Sequence, residues 1–329
     1  MIEAELTRSV ASWYPGATGV TGAAKLSGGA SQETWSFDIV HPDGNVGSIL
    51  RRAPPGYGAS PSRAAGLDAE ATLMQLAHEA GVPSPRVMHV LKPEDELGRG
   101  FISNGQSSTV TIFDLKTLKA ISEVSTGQKP DAIIYDPATS RVFAFNGGSN
   151  SATAIQAADG KVAGTVDLGG GPEFAAADGS GSVYDNLEDE SLVLKINSRL
   201  LKVEQRWPTA PCASPSSMAM DRPNRRLFIG CRSKVMAVMN ADTGQVITTL
   251  PIGDHVDATA FDPDSRLIFN SNGEGTITVI HQDSPDKYSV VENVKTLPRA
   301  KTMALDPKTH QLFLSTAEAG QFEVLIVGR

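Results

Sequence analysis

From about residue 98 onward, short apolar runs alternate with polar breaks rich in glycine and proline, and the breaks return at a fixed interval. Within runs such as TVTIFD, LVLKIN, VMAVMN and ITVIHQ apolar positions recur in the short, β-branched runs of strands, and no stretch shows the three-and-four spacing of helices. The segments AIIYDPATSRVFAF, FAAADGSGSVYDN, MAMDRPNRRLFIG, TAFDPDSRLIFNS and MALDPKTHQLFLS are copies of one unit. Their aspartates, Asp136, Asp178, Asp221, Asp262 and Asp306, lie 42, 43, 41 and 44 residues apart, and an aromatic follows each: Phe143, Tyr184, Phe228, Phe269 and Phe313. The alternating runs keep the same period, so two independent markers stay in step along the chain.

Each unit has the chemistry of tightly joined strands. Asp136-Pro137, Asp262-Pro263 and Asp306-Pro307 open β-turns in which the carboxylate caps the turn and proline presets the first central φ. Alanine stands two residues before the aspartate at Ala176, Ala219, Ala260 and Ala304, as a strand crowded near a central axis requires. Four strands in about 42 residues make the blade of a β-propeller. The predicted fold is therefore mainly β. It is an incomplete propeller of four full blades between Lys129 and about Pro298, plus two partial ones, with a small α+β lobe in front. GRGFISNG, TVTIFD and KAISEV give the leading partial blade three strands without an innermost one, and KTMALD, QLFLS and FEVLIVG give the trailing one three without an outermost. Arg86 to Val90 is predicted to pair with Gly100 to Asn104 in the vacant inner place. An open arc also predicts self-association through unpaired edges.

The segments GRGFISNGQSSTVTIFDLKTLKAI, KPDAIIYDPATSRVFAFNG, PEFAAADGSGSVY, SMAMDRPNRRLFIGC, PIGDHVDATAFDP and TMALDPKTHQLF resemble the YVTN-repeat (YncE-like) β-propellers. The resemblance implies a seven-bladed ring of a kind usually exported from bacteria, with no shared catalytic residues.

Before residue 98 the repeat is absent. LSGGASQETWSFDIV reads as strand, glycine turn and strand, SILRRAPP as a third strand stopped by prolines, and VPSPRVMHVL as an extended return strand. Residues 64–80 carry Leu67, Ala71, Met74, Leu76 and Ala77 at helical spacing. LSGGASQETW, ILRRAPPG, DAEATLMQLAHEAGVPSPRV and EDELGRGF resemble the N-terminal lobe of aminoglycoside-phosphotransferase-like kinases. The resemblance implies that Gly28, Gly29 and Ser31 cover nucleotide phosphates, and that Arg51, where many relatives have lysine, pairs with Glu70. The family's catalytic base loop and metal-binding aspartate, which phosphoryl transfer needs, have no counterpart after Gly98. PEDELGRGF thus reads as a junction between two unrelated coding regions, dividing the chain into 1–97 and 98–329. Two functions compete: a non-enzymatic binding or scaffolding propeller, and a phosphotransferase-type nucleotide-binding protein with a propeller attached. The missing loop favours the first.

Composition narrows the partners. A formal net charge of -8 without any basic run disfavours nucleic acid. No apolar stretch reaches the roughly 18–20 residues of a membrane helix. The first residues lack the features of a signal peptide, which predicts a cytoplasmic protein although the propeller relatives are usually exported. Cys212 and Cys231 flank one predicted hairpin and can form a disulfide or remain two buried thiols. Neither a metal nor a cofactor is expected, since no cysteine–histidine cluster occurs. Asp131, Glu173, Ser216, His255, Asp257 and Lys301 precede or begin inner strands. They form either a site for a cation or a polar ligand (a protein, a peptide or a small molecule) or a plain solvated rim.

Overall fold

The computed structural model describes residues 2–26, 33–52, 67–79, 82, 86–88, 98–318 and 321–328. They form two compact units, one of residues 1–100 with 114–119 and one of 101–113 with 120–329. No described helix is long and apolar enough to cross a membrane.

The N-terminal unit begins with helix α1 (Ile2–Trp13), which the sequence reading above does not contain. Its signal is present: Ile2, Leu6 and Val10 recur every fourth residue and are buried against Val20, Phe37 and Ile39. Strands β1 (Gly19–Leu26), β2 (Glu33–Val40) and β3 (Val46–Arg52) follow as an antiparallel sheet in sequence order. Helix α2 (Leu67–Glu79) is as predicted in kind, but its packed stripe is narrower. Ala71, Met74 and Ala77 are half-buried, whereas Leu76 is 56% exposed. Arg86, Val87 and Met88 are in no strand, and the described neighbour of β4 is β5 alone, which corrects the predicted pairing of this segment with residues 100–104. His89 and Val90 lie outside the described residues.

The repeat region is six antiparallel sheets. The first contains β4 (Arg99–Asn104), β5 (Thr109–Asp114) and β6 (Ala120–Ser125). The second contains β7 (Pro130–Asp136), β8 (Arg141–Asn146), β9 (Ser151–Gln156) and β10 (Val162–Asp167), and the third β11 (Pro172–Ala177), β12 (Ser182–Leu187), β13 (Leu192–Asn197) and β14 (Lys202–Pro208). The fourth has β15 (Pro215–Asp221), β16 (Arg226–Cys231), β17 (Val235–Asn240) and β18 (Val246–Pro251). The fifth has β19 (Val256–Asp262), β20 (Leu267–Asn272), β21 (Thr276–Ser284) and β22 (Lys287–Lys295). The sixth has β23 (Thr302–Asp306), β24 (Gln311–Glu318) and β25 (Gln321–Val327).

The turn aspartates act as the sequence requires. Asp136 accepts from the Ala138 amide (3.1 Å) and Thr139 Oγ1 (2.7 Å), and Asp306 accepts from the Lys308 amide (2.9 Å) and Thr309 Oγ1 (2.7 Å). Each turn then passes through the left-handed region at Ser140, Arg225, Arg266 and His310, with φ of 52°, 57°, 57° and 56°.

The repeating aromatic always faces the following sheet. Phe143 packs with Ala175 and Val183 of the third sheet, Tyr184 with Leu227 and Ile229 of the fourth, Phe228 with Ile268 and Ile280 of the fifth, and Phe269 with Leu312 and Leu314 of the sixth. Polar ties run between the same neighbours. Arg225 Nη1 donates to the turn aspartate Asp178 (2.9 Å), Gln282 Nε2 to Asp221 (2.8 Å), and His310 Nδ1 lies 2.9 Å from Asp262 Oδ2.

A clamp at the end of the second strand also recurs. Asn146 Nδ2 donates to Ser151 Oγ and Thr153 Oγ1 (3.1 and 3.0 Å), and Asn272 Nδ2 to Thr276 Oγ1 and Thr278 Oγ1 (3.1 Å each). Asn104 does the same with Thr109 and Thr111. A glycine lies on the clamp because nothing larger fits: a side chain at Gly127 would come within 2.7 Å of Asn146 Nδ2, and one at Gly253 within 2.6 Å of Asn272 Nδ2. In the fourth sheet the positions of that glycine and asparagine are Cys212 and Cys231, both fully buried and joined as a disulfide with Cα atoms 5.7 Å apart.

Candidate functional site

The innermost strands β7, β11, β15, β19 and β23 neighbour one another in chain order. Residues at one register of these strands therefore form a row. Five residues before each turn aspartate stand Asp131, Glu173, Ser216, Asp257 and Lys301, and the structure brings this predicted set together. Pro130, Pro172 and Pro215 open their strands at this end, where a missing amide donor costs nothing.

The row is linked by charge. Lys301 Nζ donates to Asp257 Oδ1 (2.7 Å), and Thr302 Oγ1 donates to Asp257 Oδ2 (3.4 Å). Ser216 turns away from ligand chemistry: it is buried, and its Oγ donates to the Val256 carbonyl (2.8 Å). The Asp131 carbonyl accepts from Ser103 Oγ (2.5 Å). His255 stands beside the row and not in it. It is strongly exposed, with φ of 58° and its ring 3.2 Å from Asp254, which also pairs with Lys234 at 2.9 Å.

Three residues that the sequence reading passes over complete the cluster. Glu188, which follows β12, is hydrogen-bonded to Glu173 and ion-paired with Arg232, which follows β16. Burial, the hydrogen bond to Glu188 and the charges of Glu188 and Asp131 push the Glu173 carboxyl up to about 8, so at neutral pH it holds a proton that the pair shares. Asp185 on β12 is fully buried, opposite Ala175 and between Val183 and Leu187 on a face otherwise apolar. Neither of its carboxylate oxygens has a hydrogen-bond partner. Burial, with the charge of Glu173, raises it well above the carboxylate range. The cluster thus holds Asp131, Glu173, Asp185, Glu188 and Asp257 against Arg232 and Lys301.

These residues had a signal in the repeat itself. Glu188 and Arg232 occupy the position filled by Gly147 and Gly273 in the second and fifth sheets, and Asp185 occupies that of Ala144, Ile229 and Leu314. Glu188 and Arg232 are charges where those copies have glycine, and Asp185 is a charge where the fifth sheet has the neutral Asn270 and the three others are apolar.

Gly28, Gly29 and Ser31 lie outside the described residues, Arg51 is on β3 opposite Thr34, and Glu70 is in α2. Elsewhere, Asp262, Asp264 and His310 could hold a metal by spacing. However, Asp262 already accepts from the Asp264 amide, Ser265 and His310 as turn cap and sheet tie, matching Arg225 on Asp178.

No protein-family model matches the sequence, and no curated protein does. Solved structures do. A chain of "Crystal Structure of Mitotic Checkpoint Complex" matches over 94% of this chain and 86% of its own, with 14% identity and a TM-score of 0.61. A functionally unknown protein from Desulfotomaculum acetoxidans DSM 771 matches over 73% and 83% (12% identity, TM-score 0.61), and the Cps50 (Swd1) β-propeller domain of Myceliophteria thermophila over 70% and 86% (13%, 0.51). At these identities the likeness speaks to the fold alone, and the fold of the repeat region is the β-propeller.

Proposed function

We propose that the protein is a non-enzymatic binding propeller of the YVTN-repeat type, and that the row of inner-strand starts takes the positively charged group of a protein, peptide or small ligand. One observation carries this reading. The Glu173 and Glu188 carboxyls are hydrogen-bonded to each other beside buried Asp185, whose carboxylate oxygens have no hydrogen-bond partner, in a cluster with more acids than bases. An arriving cation supplies the missing partner and displaces the shared proton, so binding strengthens as pH rises through about 8. The test is fluorescence anisotropy with acetylated, fluorescein-labelled hexalysine. Affinity is expected to rise about tenfold between about pH 6.5 and about pH 8.5, by proton linkage. Glu173→Gln should flatten that rise. Binding indifferent to pH, or equally pH-dependent in Glu173→Gln, would refute the site.

For residues 1–97 we propose a small-lobe-like fragment without its catalytic half; the β1-β2-β3 sheet followed by α2 supports this. The purified chain is expected to transfer no phosphate from ATP to kanamycin or to a small alcohol beyond a heat-denatured control, as followed with radiolabelled ATP. Transfer above that control would revive the kinase reading. The Cys212–Cys231 disulfide supports residence in an oxidising compartment, against the cytoplasmic expectation.

A further inference from the structure

The faces of the sheets can be compared position by position, because the pairing register repeats. On the third strand of each sheet, the residue opposite the repeating aromatic and the one two positions before it point toward the following sheet. In the second sheet these are Ala154 and Ala152, in the fourth Val238 and Met236, and in the fifth Val279 and Ile277. All six are buried. In the sixth sheet Ile326 lies opposite Phe313 and Val324 opposite Ser315, the same two positions. Here Ile326 is 61% exposed and Val324 50%, and Phe322, next along the same face, is 74% exposed. The face is built like the others and has nothing on it.

The first sheet shows the converse. Its forward face, with Phe101, Val110 and Val124, packs on Ala144, Ile133 and Ile155 of the second sheet. Its backward face carries Ile102, 50% exposed, and Phe113, half-buried at the position of Ile155. Ile102 occupies the position of Ala144, Ile229 and Leu314, all of which are fully buried against a preceding sheet. Among the described residues the molecule thus has one forward face and one backward face uncovered, and in every internal junction a forward face is covered by a backward one.

We propose that two copies of this chain associate head to tail, with the Phe322–Val324–Ile326 face of one seated on the Ile102–Phe113 face of the other. The contact continues the sheet-on-sheet packing that already joins the second to sixth sheets, and it removes exposed apolar side chains from water. It is heterologous: the two surfaces differ, so it either closes between two copies or extends into a chain. It stands independently of the acid-rich row.

The full-length protein is examined by sedimentation velocity across a concentration series. The wild type is expected to associate with increasing concentration. Val324→Glu/Ile326→Glu and Ile102→Glu should each weaken association by about tenfold or more, because a charge is buried in the contact. Mixing the two variants should restore a dimer and nothing larger, since the mixture retains one intact pair of faces. Circular dichroism and thermal melts check that the exposed positions tolerate the charges, and the corresponding serine variants replace them if the melting temperature falls. A wild type that stays monomeric throughout overturns the proposal. So does association lost in the Val324/Ile326 variant and kept in the Ile102 variant, which would mean that like faces pair.

Discussion

Replacing Asp185 with asparagine is expected to stabilise the protein at about pH 8 by about 3 kcal/mol, the scale of the penalty carried by a buried, unpartnered ionisable group, and to change little near pH 4. The sign follows from proton linkage. In the unfolded chain the Asp185 carboxyl ionises near its ordinary value of 3.8, while the folded protein keeps it protonated to much higher pH because it is fully buried with no partner. Above about pH 4 the unfolded state therefore releases a proton that the folded state retains, and stability falls as pH rises toward the folded value. Asparagine has nearly the same shape and does not ionise, so it removes that loss. Glu173 contributes a slope of the same sign between its ordinary value of 4.5 and about 8, and that slope should remain in the variant. Urea unfolding at a series of pH values measures both proteins. Parallel stability curves for the two would show that Asp185 ionises freely in the fold.

Cutting the Cys212–Cys231 link is expected to cost about 3 kcal/mol, the loss predicted for releasing a loop of this order from the unfolded chain. The cysteines are 19 residues apart and hold the approach to β15 against the end of β16. Wild type treated with a phosphine reductant and the Cys212→Ala/Cys231→Ala variant should both unfold at a lower urea concentration, the variant at the lower of the two. The comparison matters because the double alanine also loses buried sulfur atoms, whereas reduction does not. Equal midpoints for oxidised and reduced wild type would mean that the link contributes nothing. Free thiols in protein matured under oxidising conditions, read by mass spectrometry after alkylation, would mean that it does not form.

The sheets were legible because each strand's pattern is repeated, so noise in one copy is corrected by the others. Asp136, with its proline and its Thr139, announces a turn that Asp262 and Asp306 announce again. The row Asp131–Glu173–Ser216–Asp257–Lys301 was found by the same logic of equivalence. That logic also explains what it missed. Asp185, Glu188 and Arg232 matter because they differ from their equivalents, and a search for what the copies share passes over them. Equivalence likewise could not say that Ser216 spends its hydroxyl on the Val256 carbonyl, which only the packed neighbour reveals. In the N-terminal unit no repeat assists. There α1 was passed over because its residues were weighed as a leader sequence and not as an amphipathic stripe, and the Arg86–Met88 segment looked strand-like only from its composition.

The replacement of a glycine and an asparagine by Cys212 and Cys231 bears on how such copies drift apart. A cysteine arising alone at the glycine position would meet the asparagine amide at clashing distance, as the spacing at Gly127 and Gly253 shows. A cysteine arising alone at the asparagine position would release the hydroxyls of the neighbouring strand and gain no bond. Neither step is favourable by itself, and together they exchange one closure of the sheet for another. What descends and changes as a unit in this repeat is a facing pair of positions, not a single residue.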